Sequence, residues 1–475
     1  MKKILITTPI YYVNDKPHIG HAYTTLAADV LTRFFRAQGK EVFFLTGTDE
    51  HGAKIADSAE KSGKSPKEFC DEISDLFKKS WENLNIKYDY FVRTTDKRHE
   101  EAVKKFIEKL KEKDAIYEKE YEGLYCVGCE KFLTEKELVD GICPDHKTKP
   151  EIISEKNYFF KLKDYLKEIE NLIRKNKLEI GPEHIKNEVL GLLKQGLDDF
   201  SISRQKERVK WGIDLPFDNN QIIYVWVDAL LNYISAVGYG DNKKEFKKWW
   251  EDARIVHLLG KDILKFHAIY WPAMLLAVGE KIPEQEFIHG FFTINGQKMS
   301  KTLGNVIDSN KIVEKFGVDA TRYLLLSQFP FGQDGDIKQE KFIEKYNSDL
   351  ANGLGNLVAR VLTLAIRNKI QDTNTKPEKE ILNKINKTKE NYEKLMEEFR
   401  LYEVLEEIWK LISFCDEYIE KEKPWKNPNP EKTISNLLYC ISEIADLIAP
   451  FLPQTSEKIK EQLKTGKSEI LFPRI

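Results

Sequence analysis

Two short segments, far apart in the chain, constrain the fold more than any other part of the sequence. The first, Pro17-His18-Ile19-Gly20-His21, follows a strand-like run from Lys3 to Tyr12 and leads into a predicted helix over residues 22–37, whose apolar residues recur every four positions. A strand that passes through a glycine-containing loop into a helix is typical of an open α/β sheet that binds its ligand beyond the carboxyl ends of the strands. The segment therefore predicts a parallel, nucleotide-binding sheet.

The second segment, Lys298-Met299-Ser300-Lys301-Thr302, indicates which part of a nucleotide is bound. Two lysines in a loop that continues to Gly304 are able to neutralise the charge that develops on a pyrophosphate leaving group. His18 and His21 are three positions apart, so a helical turn brings both imidazoles to one face, near phosphate. Together the two segments predict an ATP site.

These segments resemble the HIGH and KMSKS motifs of class I aminoacyl-tRNA synthetases, with Thr302 in place of the final serine. Two further segments, Thr8-Pro9-Ile10-Tyr11-Tyr12-Val13-Asn14 and Thr46-Gly47-Thr48-Asp49-Glu50-His51-Gly52, are similar to those of methionyl-tRNA synthetases in particular, and the resemblance runs from end to end. It implies an enzyme that joins L-methionine to ATP as methionyl adenylate, with release of pyrophosphate, and then passes the methionyl group to tRNA(Met) for translation initiation and elongation.

The resemblance also implies which residues carry this chemistry. Adenylate formation needs positioning and charge neutralisation rather than a protein nucleophile, and the catalytic residues expected are His18, His21, Lys298 and Lys301. Mg²⁺ is expected to accompany ATP. The expected ATP-binding residues are His18, Gly20, His21, Gly260, Asp262 and Lys301. We expect His51 to lie behind the site residues or at the surface.

Methionine requires a mainly apolar pocket, because its side chain is a flexible thioether without a strong hydrogen-bonding group. Several aromatic residues are spaced to share a helical face, for which core packing is the alternative interpretation. The resemblance favours the pocket and implies that the carboxylate of Asp49 receives the substrate ammonium group. The expected methionine-binding residues are Ile10, Tyr12, Asp49, Trp226, Ala229, Tyr233, His267 and Trp271.

Three cysteines and a histidine have the spacing of a closed structural zinc site. Cys126 and Cys129 are separated by two residues, and Cys143 is followed by His146, which gives three thiolates and one imidazole for a tetrahedral ion. Asp145 is an alternative fourth ligand. Four protein ligands leave no open position for a catalytic water, so one structural Zn²⁺ per chain is expected.

The predicted elements divide the chain into four parts. Residues 1–116 alternate strands and helices, as in the first half of a Rossmann-like, doubly wound parallel sheet. Residues 117–220 are interpreted as an insertion that carries the zinc knuckle. The sheet is expected to resume in residues 221–337, with strands over residues 222–225 and 255–259. Residues 338–475 have apolar residues at helical spacing and predict an all-α bundle, apart from a strand signal in the final residues.

This C-terminal bundle is expected to bind the tRNA anticodon. The net charge of −2 gives no overall attraction for nucleic acid, so contact with RNA has to be local. The resemblance implies that Asn356, Arg360 and Trp425 read the anticodon, Trp425 by stacking. The alternative interpretations are core packing for Trp425 and an ordinary polar helix face for the other two residues.

The bulk composition places limits on the remaining function classes. A chain of 475 residues with 41% hydrophobic residues predicts two to four domains, and no apolar run approaches the length of about 18 residues that a membrane span needs. The chain begins with a strand rather than a signal peptide, so a cytoplasmic protein without membrane association is expected. Many members of the family it resembles carry a further C-terminal domain for tRNA binding and dimerisation, and because the sequence ends with the bundle, a monomer is expected.

Two alternative functions remain. One is a class I synthetase for leucine, isoleucine, valine or cysteine, although the branched-chain enzymes need a long editing insertion and the cysteine enzyme uses zinc in its amino-acid pocket. The other is a non-catalytic RNA-binding module, which the two intact motifs disfavour. Pyrophosphate exchange with a panel of amino acids discriminates among them.

Overall fold

The computed structural model describes residues 2–126, 131–133, 135, 138–144, 147–298, 305–338, 340–370 and 377–475. The chain divides into two compact units. The first unit comprises Met1–Lys16, Lys40–Lys79 and Tyr88–Ile288. The second unit comprises Pro17–Gly39, Ser80–Lys87 and His289–Ile475.

The first unit is built on a six-stranded sheet with doubly wound order, as predicted. The first strand, Lys3–Tyr12, has the predicted bounds and pairs in parallel with Glu41–Asp49 on one side and with Arg254–Gly260 on the other. The chain thus adds strands to one side of the first strand and later to the other, which is the order that creates a ligand site at the carboxyl edge. Across the sheet the strands are Tyr90–Arg93, Glu41–Asp49, Lys3–Tyr12, Arg254–Gly260, Gln285–His289 and Glu179–Gly181.

The central strands read as apolar runs because both faces of the sheet are covered. Residues 4–8 are buried without alternation, as in a strand packed on two sides. The pairing of the first two strands shifts by one residue between Thr7 and Ile10, at Pro9, which lacks an N–H group. A Cβ atom at Gly47 would lie 2.0 Å from the carbonyl oxygen of Val92 in the neighbouring strand, so only glycine fits there.

One predicted strand does not belong to this sheet. The prediction over residues 222–225 corresponds to the strand Asp218–Ile223, which pairs antiparallel with Ser203–Gln205 and Asp214–Leu215 in a separate three-stranded sheet. A short connection permits antiparallel pairing, whereas a parallel partner needs a long crossover. The strand Glu179–Gly181 instead joins the edge of the main sheet in parallel with Gln285–His289.

The predicted insertion contains a four-stranded antiparallel sheet. Its two long strands, Ile116–Cys126 and Glu151–Phe160, pair along nearly their whole length. The short strands Lys131–Leu133 and Phe200–Ser201 lie at its edges.

Helices cover the main sheet of the first unit, and the largest buried residues between them include Phe106, Tyr233, Trp250 and Trp271. The α-helices are Ala53–Lys61, Pro66–Asn83, Lys97–Glu112, Leu166–Arg174, Glu183–Gln195, Val225–Leu230, Asn232–Ser235, Lys243–Phe246 and Trp271–Val278. Short 3₁₀ or π segments are Leu162–Asp164, Lys247–Glu251, Lys261–Ile263 and Phe266–Tyr270.

The second unit combines the first helix of the chain, Ile19–Ala37, with a small sheet and the C-terminal helices. Its sheet has the strand order Gln297–Lys298, Phe292–Ile294 and Gly335–Ile337. The predicted all-α region is confirmed over the described part of residues 338–475, and the final residues form no strand. The remaining helices are Ser309–Phe316, Val318–Leu326, Glu340–Lys345, Tyr346–Gly355 (a π segment), Asn356–Arg367, Lys379–Glu397, Leu401–Glu422, Glu431–Ile448 and Pro453–Thr465.

Among the described residues, we find no helix with the length and apolarity that a membrane crossing requires.

Candidate functional site

The two histidines of the first motif form the N-terminal cap of the first helix, Ile19–Ala37. The Nδ1 atom of His18 accepts a hydrogen bond from the backbone N–H of Gly20 at 3.1 Å, and that of His21 accepts from the backbone N–H of His18 at 3.3 Å. The two rings stack with centroids 3.7 Å apart. Because each Nδ1 accepts, each neutral ring carries its proton on Nε2, which makes Nε2 a hydrogen-bond donor. Two such donors at a helix N-terminus suit a phosphate.

The chain that follows the predicted lysine loop, residues 298–304, returns to the N-terminus of the same helix. The backbone N–H of Ile19 donates to the carbonyl of Ile307 at 3.0 Å. On the other side of the loop, the backbone of Lys298 pairs with Thr293 in the small sheet of the second unit. Lys301 lies outside the described residues.

Within the second unit, a further contact ties the first helix to the segment that precedes the lysine loop. His289 donates from Nδ1 to the carbonyl of Gly290 at 2.9 Å, so its Nε2 accepts from the Thr24 hydroxyl at 2.6 Å. The ring of Tyr23 packs edge-on against that of Phe292 with centroids 4.6 Å apart. Sequence spacing gave no signal for His289, because its contacts are formed between residues remote in the chain.

In the first unit, three predicted methionine-binding residues meet at the carboxyl ends of the first two strands. Tyr12 lies opposite Asp49 in the strand register, and Ile10 lies opposite Gly47. Asp49 is buried, whereas Ile10 and Tyr12 are half-buried. The backbone N–H of Val13 donates to the carbonyl of Asp49 at 3.1 Å, which fixes the end of the strand pair.

The predicted aromatic residues also come together in the first unit. The Tyr233 hydroxyl and His267 Nε2 are 2.8 Å apart, and the rings of Tyr233 and Trp271 lie 6.1 Å apart. Trp226 is half-buried and stacks on Phe266 with centroids 4.3 Å apart. Like Ile10, it packs against the main core of the unit, and the predicted residue Ala229 is buried beside it in the helix Val225–Leu230.

His267 is a neutral hydrogen-bond acceptor in this cluster. Its Nδ1 atom donates to the carbonyl of Ile263 at 3.0 Å, so Nε2 accepts from the Tyr233 hydroxyl. Burial lowers the pKa of His267 to about 4, which keeps the ring uncharged at neutral pH. An uncharged, aromatic-lined space suits an apolar side chain.

The predicted ribose-binding residues follow the strand Arg254–Gly260. Gly260 ends this strand and Asp262 lies exposed in the short helical turn Lys261–Ile263. Because Arg254–Gly260 pairs with the first strand, both residues lie at the same carboxyl edge as Tyr12.

Arg204 lines a cavity of the first unit and was not among the residues that the sequence predicted for a site. Its guanidinium lies 4.0 Å from the ring centroid of Tyr224, and its Nη1 donates to the Ser201 hydroxyl and the Ser203 carbonyl, both at 2.7 Å. Arg204 and Tyr224 line a cavity of the first unit together with His51. The sequence prediction gave Arg204 no role, because a single arginine beside serines has no spacing that indicates a site.

The predicted zinc ligands are described only in part. Cys126 and Cys143 are buried in one small cluster with Leu133, whereas Cys129, His146 and the alternative ligand Asp145 lie outside the described residues. Within the described part of the chain, no group of three metal-binding side chains is found.

The predicted anticodon-binding residues lie in the second unit. Asn356 begins the helix Asn356–Arg367 and is exposed, with Arg360 one turn later. The Arg360 guanidinium lies 5.1 Å from the ring centroid of Trp425 and donates to Glu420 at 2.6 Å. Trp425 is 47% exposed, which is not the environment of a core residue.

The chain is similar to known proteins over its whole length. The chain matches the family described as "tRNA synthetases class I (M)" over residues 4–149 and 145–362, and the "Anticodon-binding domain of tRNA ligase" over residues 378–473. It is 46% identical to the methionine–tRNA ligase of Clostridium tetani, over 100% of this chain and 79% of that protein. Its identity to the methionine–tRNA ligase of Thermotoga maritima is 43%, over 96% of this chain and 74% of that protein. A solved structure of Mycobacterium tuberculosis methionyl-tRNA synthetase in complex with methionyl-adenylate superposes with a TM-score of 0.92 at 35% identity, covering 100% of this chain and 99% of that chain.

Proposed function

Because the chain belongs to the methionine–tRNA ligase family of class I tRNA synthetases, we propose that its predicted motif and pocket residues carry the two steps of that family's reaction. The activity is the ATP-dependent joining of methionine to tRNA. In the first step the methionine carboxylate attacks the α-phosphorus of ATP and pyrophosphate leaves. In the second step a hydroxyl of the terminal adenosine of tRNA takes the methionyl group and AMP leaves.

In the first step, His18 and His21 donate from Nε2 to phosphate oxygens, beside the backbone of Gly20. Lys298 and Lys301 neutralise the charge on the leaving pyrophosphate, and Mg²⁺ enters with ATP. Gly260 and Asp262 contact the adenosine ribose. The observation that carries this assignment is the hydrogen bond from Ile19 to Ile307, which joins the histidine-bearing helix to the chain just beyond the lysine loop.

The amino-acid substrate is selected by the pocket of the first unit. The carboxylate of Asp49 pairs with the ammonium group of methionine, and its side chain packs on Ile10, Tyr12, Trp226, Ala229, Tyr233, His267 and Trp271. The low pKa of His267, caused by burial, supports this assignment because a neutral ring does not attract charged side chains. A hydrophobic pocket of this kind discriminates by about 1 to 3 kcal/mol for each methylene group.

The test of these roles is ATP–pyrophosphate exchange by the full chain and by His21→Asn and Asp49→Asn. Removal of one preorganised donor costs about 10²- to 10³-fold in rate, so His21→Asn is expected to lose that much while the KM for methionine changes little. Asp49→Asn is expected to raise the KM for methionine. Near-normal exchange by both variants would overturn the assignment.

The C-terminal helices bind the anticodon of tRNA, with Trp425 stacking on a base and Asn356 and Arg360 presenting hydrogen-bond donors to base edges. The cation–π contact between Arg360 and the half-exposed Trp425 supports this role, since it places a cationic hydrogen-bond donor beside a partly exposed aromatic ring. The proposal includes action as a cytoplasmic monomer, which sedimentation of the full chain tests for the oligomeric state.

The insertion binds one structural Zn²⁺ through Cys126, Cys129, Cys143 and either His146 or Asp145. The side chains of Cys126 and Cys143 are almost fully buried in one small cluster, and thiols so placed fit a closed zinc site. The metal would hold the knuckle together and take no part in the reaction. Elemental analysis is expected to find about one zinc per chain.

A further inference from the structure

His51, Asp228, His99 and Ser235 form a chain of hydrogen bonds inside the first unit. Asp228 accepts from His51 Nδ1 through Oδ2 and from His99 Nε2 through Oδ1, both at 2.7 Å. The other ring nitrogen of His99 lies 2.7 Å from the Ser235 hydroxyl. None of the four residues is more than 3% exposed, so water does not compete with these bonds.

Among these four hydrogen-bonded residues, the Asp228 carboxylate carries the negative charge. Burial raises the pKa of Asp228, but the two histidines outweigh it and the net shift is downward. Burial likewise lowers the pKa of His51, and the Asp228 carboxylate, with smaller contributions from Glu100 and Glu50, raises it above the ordinary value. A buried carboxylate is costly to desolvate, and partners offset this cost only in a well-fixed geometry.

Asp228 connects three elements, two of which carry proposed methionine-binding residues. It lies in the short helix Val225–Leu230, between Trp226 and Ala229. His51 follows Asp49 by two residues at the end of the second strand, and His99 lies on the helix Lys97–Glu112. The carboxylate therefore joins the segment that follows Asp49 to the helix that carries the apolar wall.

The segment around His51 is held separately on its other side. The side chain of Glu50 receives two bonds from Arg93, at 2.6 and 2.8 Å, and its carbonyl accepts from the indole N–H of Trp211 at 2.5 Å. These contacts hold Glu50 but not the helix of Trp226. The hydrogen bond from His51 to Asp228 is a side-chain link from this segment to that helix.

We propose that Asp228 is a positioning residue for methionine binding: through His51 it sets the position of Asp49 relative to Trp226 and Ala229, and through His99 it fixes its own orientation. This inference rests on the proposed amino-acid pocket. Asp228 itself does not touch the substrate. Its loss is therefore expected to weaken methionine binding without a matching loss of ATP binding.

The experiment measures KM for methionine and for ATP, and kcat, in pyrophosphate exchange by the full chain. Asp228→Asn keeps the shape and removes the charge, and His51→Asn removes the link itself. A hydrogen-bonded contact with a charged group is worth about 10- to 100-fold in binding, so misplacing Asp49 is expected to raise the KM for methionine by about that factor in each variant. The KM for ATP is expected to change less than about threefold, because uniform loss of methionine binding alone raises only that KM.

The double variant separates positioning from a general folding defect. If Asp228 acts through His51, the double variant Asp228→Asn/His51→Asn is expected to have a KM for methionine no higher than that of Asp228→Asn alone. Independent defects would instead add. Asp199→Asn is the matched control, because this half-buried aspartate of the same unit accepts bonds from Tyr117 and the backbone of Lys163 at 2.9 and 3.1 Å, away from the pocket. It is expected to leave both KM values unchanged.

The outcomes also distinguish this inference from the pocket on which it rests. If Asp228→Asn does not fold, His51→Asn alone decides the question. An unchanged KM for methionine in His51→Asn, an equal rise of both KM values, or additive effects in the double variant would overturn the role of Asp228. If Asp49→Asn also leaves the KM for methionine unchanged, the proposed pocket is wrong as well.

Discussion

Glu286 gives the sharpest test of the core that surrounds the proposed pocket. It lies in the strand Gln285–His289, opposite Ile180 of the edge strand, and its side chain is completely buried. Neither carboxylate oxygen has a hydrogen-bond partner among the described residues. Burial alone raises the pKa of Glu286 from 4.5 to about 8.

The consequence is a specific dependence of stability on pH. Folding favours the protonated carboxyl of Glu286. Its contribution to the free energy of unfolding is therefore fully present below about pH 4.5 and is lost as pH rises toward about pH 8. Each pH unit between the two pKa values corresponds to about 1.4 kcal/mol, so the total loss is about 5 kcal/mol. Most of it, about 4 kcal/mol, falls between pH 5 and pH 9.

Glu286→Gln keeps the size of the side chain and cannot ionise. We expect the variant to match the parent chain near pH 5 and to exceed its free energy of unfolding by about 4 kcal/mol near pH 9. Urea unfolding followed by tryptophan fluorescence is the assay, because Trp250 and Trp271 lie in the same core as the sheet. Glu179→Gln, at an exposed position in the neighbouring strand, is the control and is expected to show no such dependence. A difference between parent and Glu286→Gln that is the same at both pH values would refute the reasoning.

Three further predictions concern function. Lys301→Ala is expected to slow pyrophosphate exchange by about 10²- to 10³-fold, and near-normal exchange would remove Lys301 from the mechanism. Trp425→Ala is expected to weaken aminoacylation of tRNA by about 1 to 3 kcal/mol while exchange is unchanged, since stacking on a base is lost; equal damage to both assays would indicate a folding defect. Removal of zinc by a chelator is expected to unfold the insertion, seen as protease cleavage within residues 117–160, and a metal-free chain that resists cleavage and keeps full activity would contradict a structural metal.

The sequence predicted those parts of the fold that depend on local pattern. The strand Lys3–Tyr12 has its predicted bounds, because an apolar run of this length between charged and turn residues is itself the signal. The first helix was predicted from residue 22 and begins at Ile19, since the imidazole of His18 provides a cap that apolar periodicity does not reveal.

The local sequence pattern did not predict which strands pair or which buried polar side chains contact each other. The strand Asp218–Ile223 was predicted close to its position, but its antiparallel partners were not, because apolar runs look the same in both kinds of sheet. His51 was expected behind the site or at the surface, and the bond that buries it is made to Asp228, far away in the chain. Such contacts depend on the folded arrangement and leave no spacing signal.

The central claim is that this chain activates methionine with ATP. The most direct measurement is ATP–pyrophosphate exchange by the full chain with each of the standard amino acids in turn. We predict that methionine supports rapid exchange and that leucine, isoleucine, valine and cysteine do not. Rapid exchange with one of these four instead of methionine, or no exchange with any amino acid, would contradict the account.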